Sequence, residues 1–155
     1  MKIAITVPSS AVPRSGNRHT AGRWGRFLRG LGHRVRIITR WRRGHDQLLL
    51  ALHARKSYDS ILRFSEARPS APIVVALTGT DLYRDIRTDP QAQQSLGLAD
   101  RLIVLQEMGL RELSPFLRSK TRIVYQSSDV KLRHAPDRSR FRIAVIGHLR
   151  SEKDP

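Results

Sequence analysis

Ten arginines and no carboxylate fall between residues 14 and 45, in RSGNRHTAGRWGRFLRGLGHRVRIITRWRRGH. A guanidinium stays charged at any ordinary pH and presents a planar fork of donors, so such a run suits anions, phosphates above all. Gly16 stands where a short apolar strand, KIAITV, has ended and a helical pattern begins. A helix started there offers free N–H groups and the positive end of its dipole to an anion. Arg14, Asn17 and Arg18 flank that glycine and are the substrate-binding candidates of this loop. Gly16 could equally complete a turn with no ligand. The loop matches neither G-x-G-x-x-G nor G-x-x-x-x-G-K-[ST], which disfavours dinucleotide and P-loop readings.

Other strand ends carry chemistry-bearing side chains. His53 closes the apolar run QLLLALH, and the block TGTD places Thr78, Thr80 and Asp81 at the end of another strand. His53 and Asp81 are the candidates for acid–base work. Each also has a plain structural reading: a satisfied, partly buried histidine, turn-forming threonines, and an aspartate capping the helix that follows. QSSD (126–129) and GHLR (147–150) mark two more strand ends. The six histidines show no metal-binding spacing, and no G-x-S-x-G elbow occurs, so metal-hydrolase and serine-hydrolase chemistries gain no support.

The elements that must position these residues alternate. Strands are expected at 2–7, 34–39, 47–53, 72–77, 99–106 and 121–127. Helices are expected after residue 16, capped by Asn17 or Thr20, at 54–68, and briefly over 107–117. In the first helix Ala21, Trp24, Leu28 and Leu31, with Phe27, form the apolar stripe, and Gly32 ends it. In the second, Tyr58, Ile61, Leu62 and Phe64 are the expected core. Strands alternating with helices imply an α/β, Rossmann-like parallel sheet flanked by helices. Ligands of such sheets bind at the carboxyl ends of the strands.

The 155 residues hold 29 Lys+Arg against 13 Asp+Glu, a net charge of +16. That excess fits an anionic partner or simply a solvated basic surface. There is no cysteine, hence no disulfide and no thiolate zinc site, compatible with a cytoplasmic protein. No apolar run reaches the length of a membrane span. Residues 1–127 read as one Rossmann-like domain and 128–140, SDVKLRHAPDRSR, as a linker. Residues 141–155, FRIAVIGHLRSEKDP, read as the first strand and turn of a second domain, so the chain reads as the N-terminal part of a longer protein.

The stretch GHLRSEKDP, a strand followed by G-x-L-x-x-E-K, resembles the start of the second domain in retaining family-4 glycosyltransferases. Those enzymes have the GT-B architecture, two Rossmann-like domains facing across a cleft. The resemblance implies that Lys153, with Gly147, His148 and Arg150, grips a donor diphosphate; His148 stands where arginine is common. SGNRHTAGRW, LGHRVRIITRW, LLLALHARKS, VVALTGTDLYRD, ADRLIVLQ, VYQS and GHLRSEKDP, in that order, resemble a narrower group, the selenosugar synthases of selenoneine biosynthesis. That likeness implies a hexosyltransferase joining selenophosphate to a UDP-N-acetylhexosamine and releasing UDP; positioned Arg and Lys can stabilise the departing diphosphate charge, so no metal or other cofactor is required. It implies that the Gly16 turn lets backbone approach the donor phosphate, that Arg14, Asn17 and Arg18 hold the selenophosphate or the diphosphate, and that Thr78, Thr80 and Asp81 line the cleft with His53 close by. It also implies that most of the donor pocket lies in the second domain, so these 155 residues alone are inactive.

Two rivals stand beside this reading: a family-4 enzyme with another acceptor, and a basic nucleic-acid-binding domain. The cluster RWRR (40–43) is the footprint a nucleic-acid binder leaves. Aromatic residues are only 6% of the chain, however, too few for a stacking platform along a basic surface.

Overall fold

The computed structural model describes residues 1–8, 16–127 and 139–140. Arg14, Gly147, His148, Arg150 and Lys153 lie outside the described residues, as do residues 141–155 and all of 128–140 but Ser139 and Arg140. The chain divides into two units, Met1–Tyr125 and Gln126–Pro155. The first is an α/β domain.

Its six strands are β1 (Lys2–Thr6), β2 (Arg34–Ile38), β3 (Leu48–Leu52), β4 (Ile73–Ala76), β5 (Arg101–Val104) and β6 (Thr121–Ile123). They pair in parallel throughout, in the order β2-β1-β3-β4-β5-β6. A strand covered on both faces needs apolar side chains at every position rather than at alternate ones. β3, LLLAL, obeys this, with Leu49, Ala51 and Leu52 fully buried. The edge strand β2, RVRII, does not: its arginines and Ile37 face solvent. Charged residues on an exposed edge also discourage pairing with another chain.

Helix α1 (Gly16–Gly30) covers one face. Ala21 and Trp24 join Ile3, Ile5, Val7, Leu50 and Leu52 in one apolar cluster, with Leu28 packed against it. Phe27 and Leu31, expected on that stripe, are instead exposed at 56% and 73%. Phe27 points off the line through Ala21, Trp24 and Leu28, and Leu31 lies beyond the last helical turn, so neither reaches the sheet. The expected caps shift too. The helix begins at Gly16, which places Asn17 and Thr20 inside it. Gly32 ends it as expected, at φ +81°, a conformation that L residues avoid.

The opposite face is covered by α2 (Tyr58–Ala67), the single turn α3 (Ile86–Thr88) and α4 (Pro90–Leu98). Ile61 and Phe64 of α2 are fully buried, whereas Tyr58 and Leu62 are only partly so. The helix starts four residues later than its sequence pattern implies, because residues 54–57 form a tight turn after His53. α4 went unread in the sequence. Its apolar positions are few, and it is built by Asp89, whose side chain accepts from Ala92 N–H, with Pro90 in the first turn. Residues 107–117 divide into a 3₁₀ segment (Glu107–Glu112) and α5 (Pro115–Ser119).

Candidate functional site

In this strand order the connection after β1 leads to β2 on one side and the connection after β3 leads to β4 on the other, so the crevice between the carboxyl ends of β1 and β3 is the topological switch point. Among the segments that follow strands at that end of the sheet are the start of α1 after β1, the turn after β3 and the turn after β4.

Gly16, Asn17 and Arg18 are the first residues of α1. Gly16 is exposed, and a side chain placed on it would meet nothing within 4 Å among the described residues. It is the first residue of the helix. The first turn of α1 contains no acidic residue, and Arg18 is exposed. A cation at the positive end of a helix dipole is unfavourable unless an anion sits nearby, and no carboxylate of that turn competes for the place.

His53 ends β3 at φ +76°, left-handed for a residue with a side chain, at a cost of about 1 kcal/mol. Its backbone N–H donates to Ala76 O at 2.9 Å and its carbonyl accepts from Ser57 N–H at 3.0 Å. The imidazole is buried. Nδ1 accepts from Lys56 N–H at 3.4 Å, so Nε2 carries the proton and reaches Thr80 Oγ1 at 3.1 Å. Burial pushes the His53 pKa below the ordinary histidine value; Asp81 and Asp85, at 3.9 and 4.0 Å, pull the other way without prevailing. The ring is therefore neutral at neutral pH.

Asp81 is fully buried and accepts three backbone N–H groups: Ala54 at 2.9 Å, Thr78 at 3.0 Å and Gly79 at 2.9 Å. One carboxylate thus fastens the turn after β3 to the turn after β4. Both oxygens are occupied, so Asp81 orders the crevice wall and does not present a free base to it. Asp81 opens a π-helical turn (Asp81–Asp85) instead of capping an α-helix through its side chain. Gly79, at φ +148°, allows the chain to fold back onto that carboxylate. Thr78, Gly79 and Thr80 remain partly exposed and form the rim.

Sequence reasoning missed three members of this cluster, Asp85 and the two arginines that hold it, Arg55 and Arg84. Asp85 is buried, and burial opposes its ionisation, yet Arg55 Nε at 2.8 Å and Arg84 Nε at 3.2 Å hold its pKa below the usual carboxylate range. The four-residue spacing of Asp81 and Asp85 was the available signal, since it puts both on one side of a helical turn. Arg55, on the turn after His53, gave no such sign. Among the described residues no group of three or more His, Cys, Asp or Glu could hold a metal ion, and no helix is long and apolar enough to cross a membrane. Neither a protein-family model nor a curated protein matches the sequence.

Proposed function

We propose that this domain is the acceptor-side half of a GT-B glycosyltransferase, and that the protein carrying its second domain is a selenosugar synthase. The observation that carries the reading is the ordered set of seven motifs, from SGNRHTAGRW to GHLRSEKDP. The parallel α/β sheet supports it, as does the acid-free start of α1 at the switch point. In the reaction, selenium of selenophosphate attacks the anomeric carbon of a UDP-N-acetylhexosamine. The C–Se bond forms as the bond from that carbon to the diphosphate oxygen breaks, and its electron pair leaves with UDP.

Departing diphosphate charge needs fixed cations more than a strong base. Lys153 and Arg150 take that role on the donor side, with Gly147 and His148 beside them. Arg14, Gly16, Asn17 and Arg18 receive the phosphate of selenophosphate, and Thr80, held by His53, offers a hydroxyl to the sugar. The test is UDP release from UDP-N-acetylglucosamine and selenophosphate by the two-domain protein. Arg18→Ala should raise the selenophosphate requirement about tenfold, roughly one charge-assisted hydrogen bond, with little change in the UDP-sugar requirement. No UDP release by the two-domain protein refutes the reaction, and equal effects on both substrates remove Arg18 from the acceptor site.

A further inference from the structure

The cluster RWRR lies in the connection from β2 to β3, and its surroundings are built. Trp41 is 1% exposed and packs edge-on against Phe64 of α2, ring centres 5.1 Å apart. Its indole N–H donates to Asp46 at 2.8 Å and its backbone N–H to Ser60 Oγ at 3.0 Å. Asp46 is buried, and burial opposes its charge, but Arg36 and Trp41 hold its pKa below the usual range. Arg36 grips both Asp46 oxygens, at 2.9 and 2.5 Å, and donates to the carbonyl of Arg43 at 3.1 Å. The loop between β2 and β3 is thus nailed at its middle and tied at its end.

Such anchoring decides where the neighbouring side chains go. Arg40, Arg42 and Arg43 lie in sequence around the buried Trp41, and with Arg63 of α2 they line an open groove of about 560 Å³. Asp59 pairs with Arg40 at 2.7 Å, and both are about half exposed. Arg42, Arg43 and Arg63 have no carboxylate partner among the described residues and none is buried. Glu66, one helical turn beyond Arg63, forms no ion pair among the described residues.

We propose that this groove binds the phosphate backbone of nucleic acid, without regard to sequence. Guanidiniums on a fixed loop give up less side-chain freedom on meeting an array of phosphates than the same groups on a mobile one. The nearby aromatic rings, Trp41 and Phe64, are buried in the core, so no base can stack on them. When only phosphates are touched, affinity comes from counterion release and carries no base information. The inference does not depend on the glycosyltransferase reading.

The experiment is fluorescence anisotropy with a labelled mixed-sequence DNA duplex of about 20 base pairs, from about 50 to 200 mM salt. Arg42→Gln, Arg43→Gln and Arg63→Gln together should weaken binding at least tenfold at the lowest salt. They should also flatten the plot of log affinity against log salt by about 2 to 3, about 0.9 for each phosphate left without its cation. Arg26→Gln, Arg101→Gln and Arg122→Gln together remove the same charge elsewhere on the surface and should cost less than about threefold. Arg63→Gln alone, a single change on a helix surface, should flatten the slope by about 0.9, which keeps the test valid if the triple variant unfolds. Equal losses in the two triple variants, an unchanged slope in Arg63→Gln, absence of duplex binding by the parent at the lowest salt, or binding to anionic vesicles in place of DNA would each overturn the proposal.

Discussion

At the carboxyl ends of β3 and β4, Asp81 and Asp85 are buried and engaged, one by three backbone N–H groups and the other by Arg55 and Arg84. Along the β2–β3 connection, four arginines line a groove and a single half-exposed carboxylate, Asp59, pairs with one of them. Both regions are charged, and both are fixed by one buried aspartate, Asp81 in the first and Asp46 in the second. The first neutralises its charge internally and so builds a shape, a rim of threonines over a neutral histidine. The second buries only its anchor and leaves its cations in water, open to an anion. Where a carboxylate sits therefore separates an arginine that holds the fold from one that can hold a ligand.

The largest test of that contrast is Asp81→Ala. It strands three backbone donors, two of them on a partly exposed turn, each worth roughly 1 to 3 kcal/mol when unpaired and cut off from water. The variant should lose about 3 kcal/mol or more of stability in urea titration, through the lower midpoint, whereas Arg42→Ala should change it by less than about 0.5 kcal/mol. Comparable losses would erase the distinction between a closed and an open charge network.

A smaller effect should follow from His53. Its folded pKa lies below its ordinary value, chiefly through burial. The unfolded chain then binds the proton first as pH falls through about 6.5, and the folded state loses stability from there downward. In urea titrations from about pH 7.5 to about pH 5.5, stability should decline in the parent and be flatter in His53→Gln. The same decline in both would mean that another group carries it. Acid loss from Asp46 and Asp85, whose folded pKa values are lowered, comes only at still lower pH, as each is protonated.

The smallest expected effect is the most specific to the groove. Asp59→Asn removes the partner of Arg40 and frees a fourth guanidinium. Duplex affinity should rise about two- to threefold at low salt, since an exposed pair is worth only about 0 to 1 kcal/mol. Stability should hardly move. An unchanged affinity would show that Arg40 takes no part in binding.

Much of the fold was legible before any coordinates. The apolar runs KIAIT, LLLAL and IVVA read as strands because a parallel sheet covered on both faces demands apolar side chains at successive positions. Gly32 marked its helix end through backbone geometry alone. Errors arose where tertiary context outweighed pattern. Phe27 and Leu31 are apolar at nearly helical spacing yet stay largely exposed, and α4 is held by its Asp89 cap and its neighbours more than by its own apolar face.

The linear chain by itself determined the class of fold, the succession of strands and the abundance of cations, because hydrophobic periodicity and formal charge are local properties; it overran the ends of β5 and β6, which stop at Val104 and Ile123. It could not say which cations are free. That required the three-dimensional arrangement, in which Asp46 returns to Arg36 across ten residues and Asp81 reaches Ala54 across twenty-seven. Electrostatic pairing depends on distance in space, and only folding sets that distance. His53 shows the same limit: its residue type marked it as a possible acid–base group, and burial beside Thr80 made it a neutral hydrogen-bond donor.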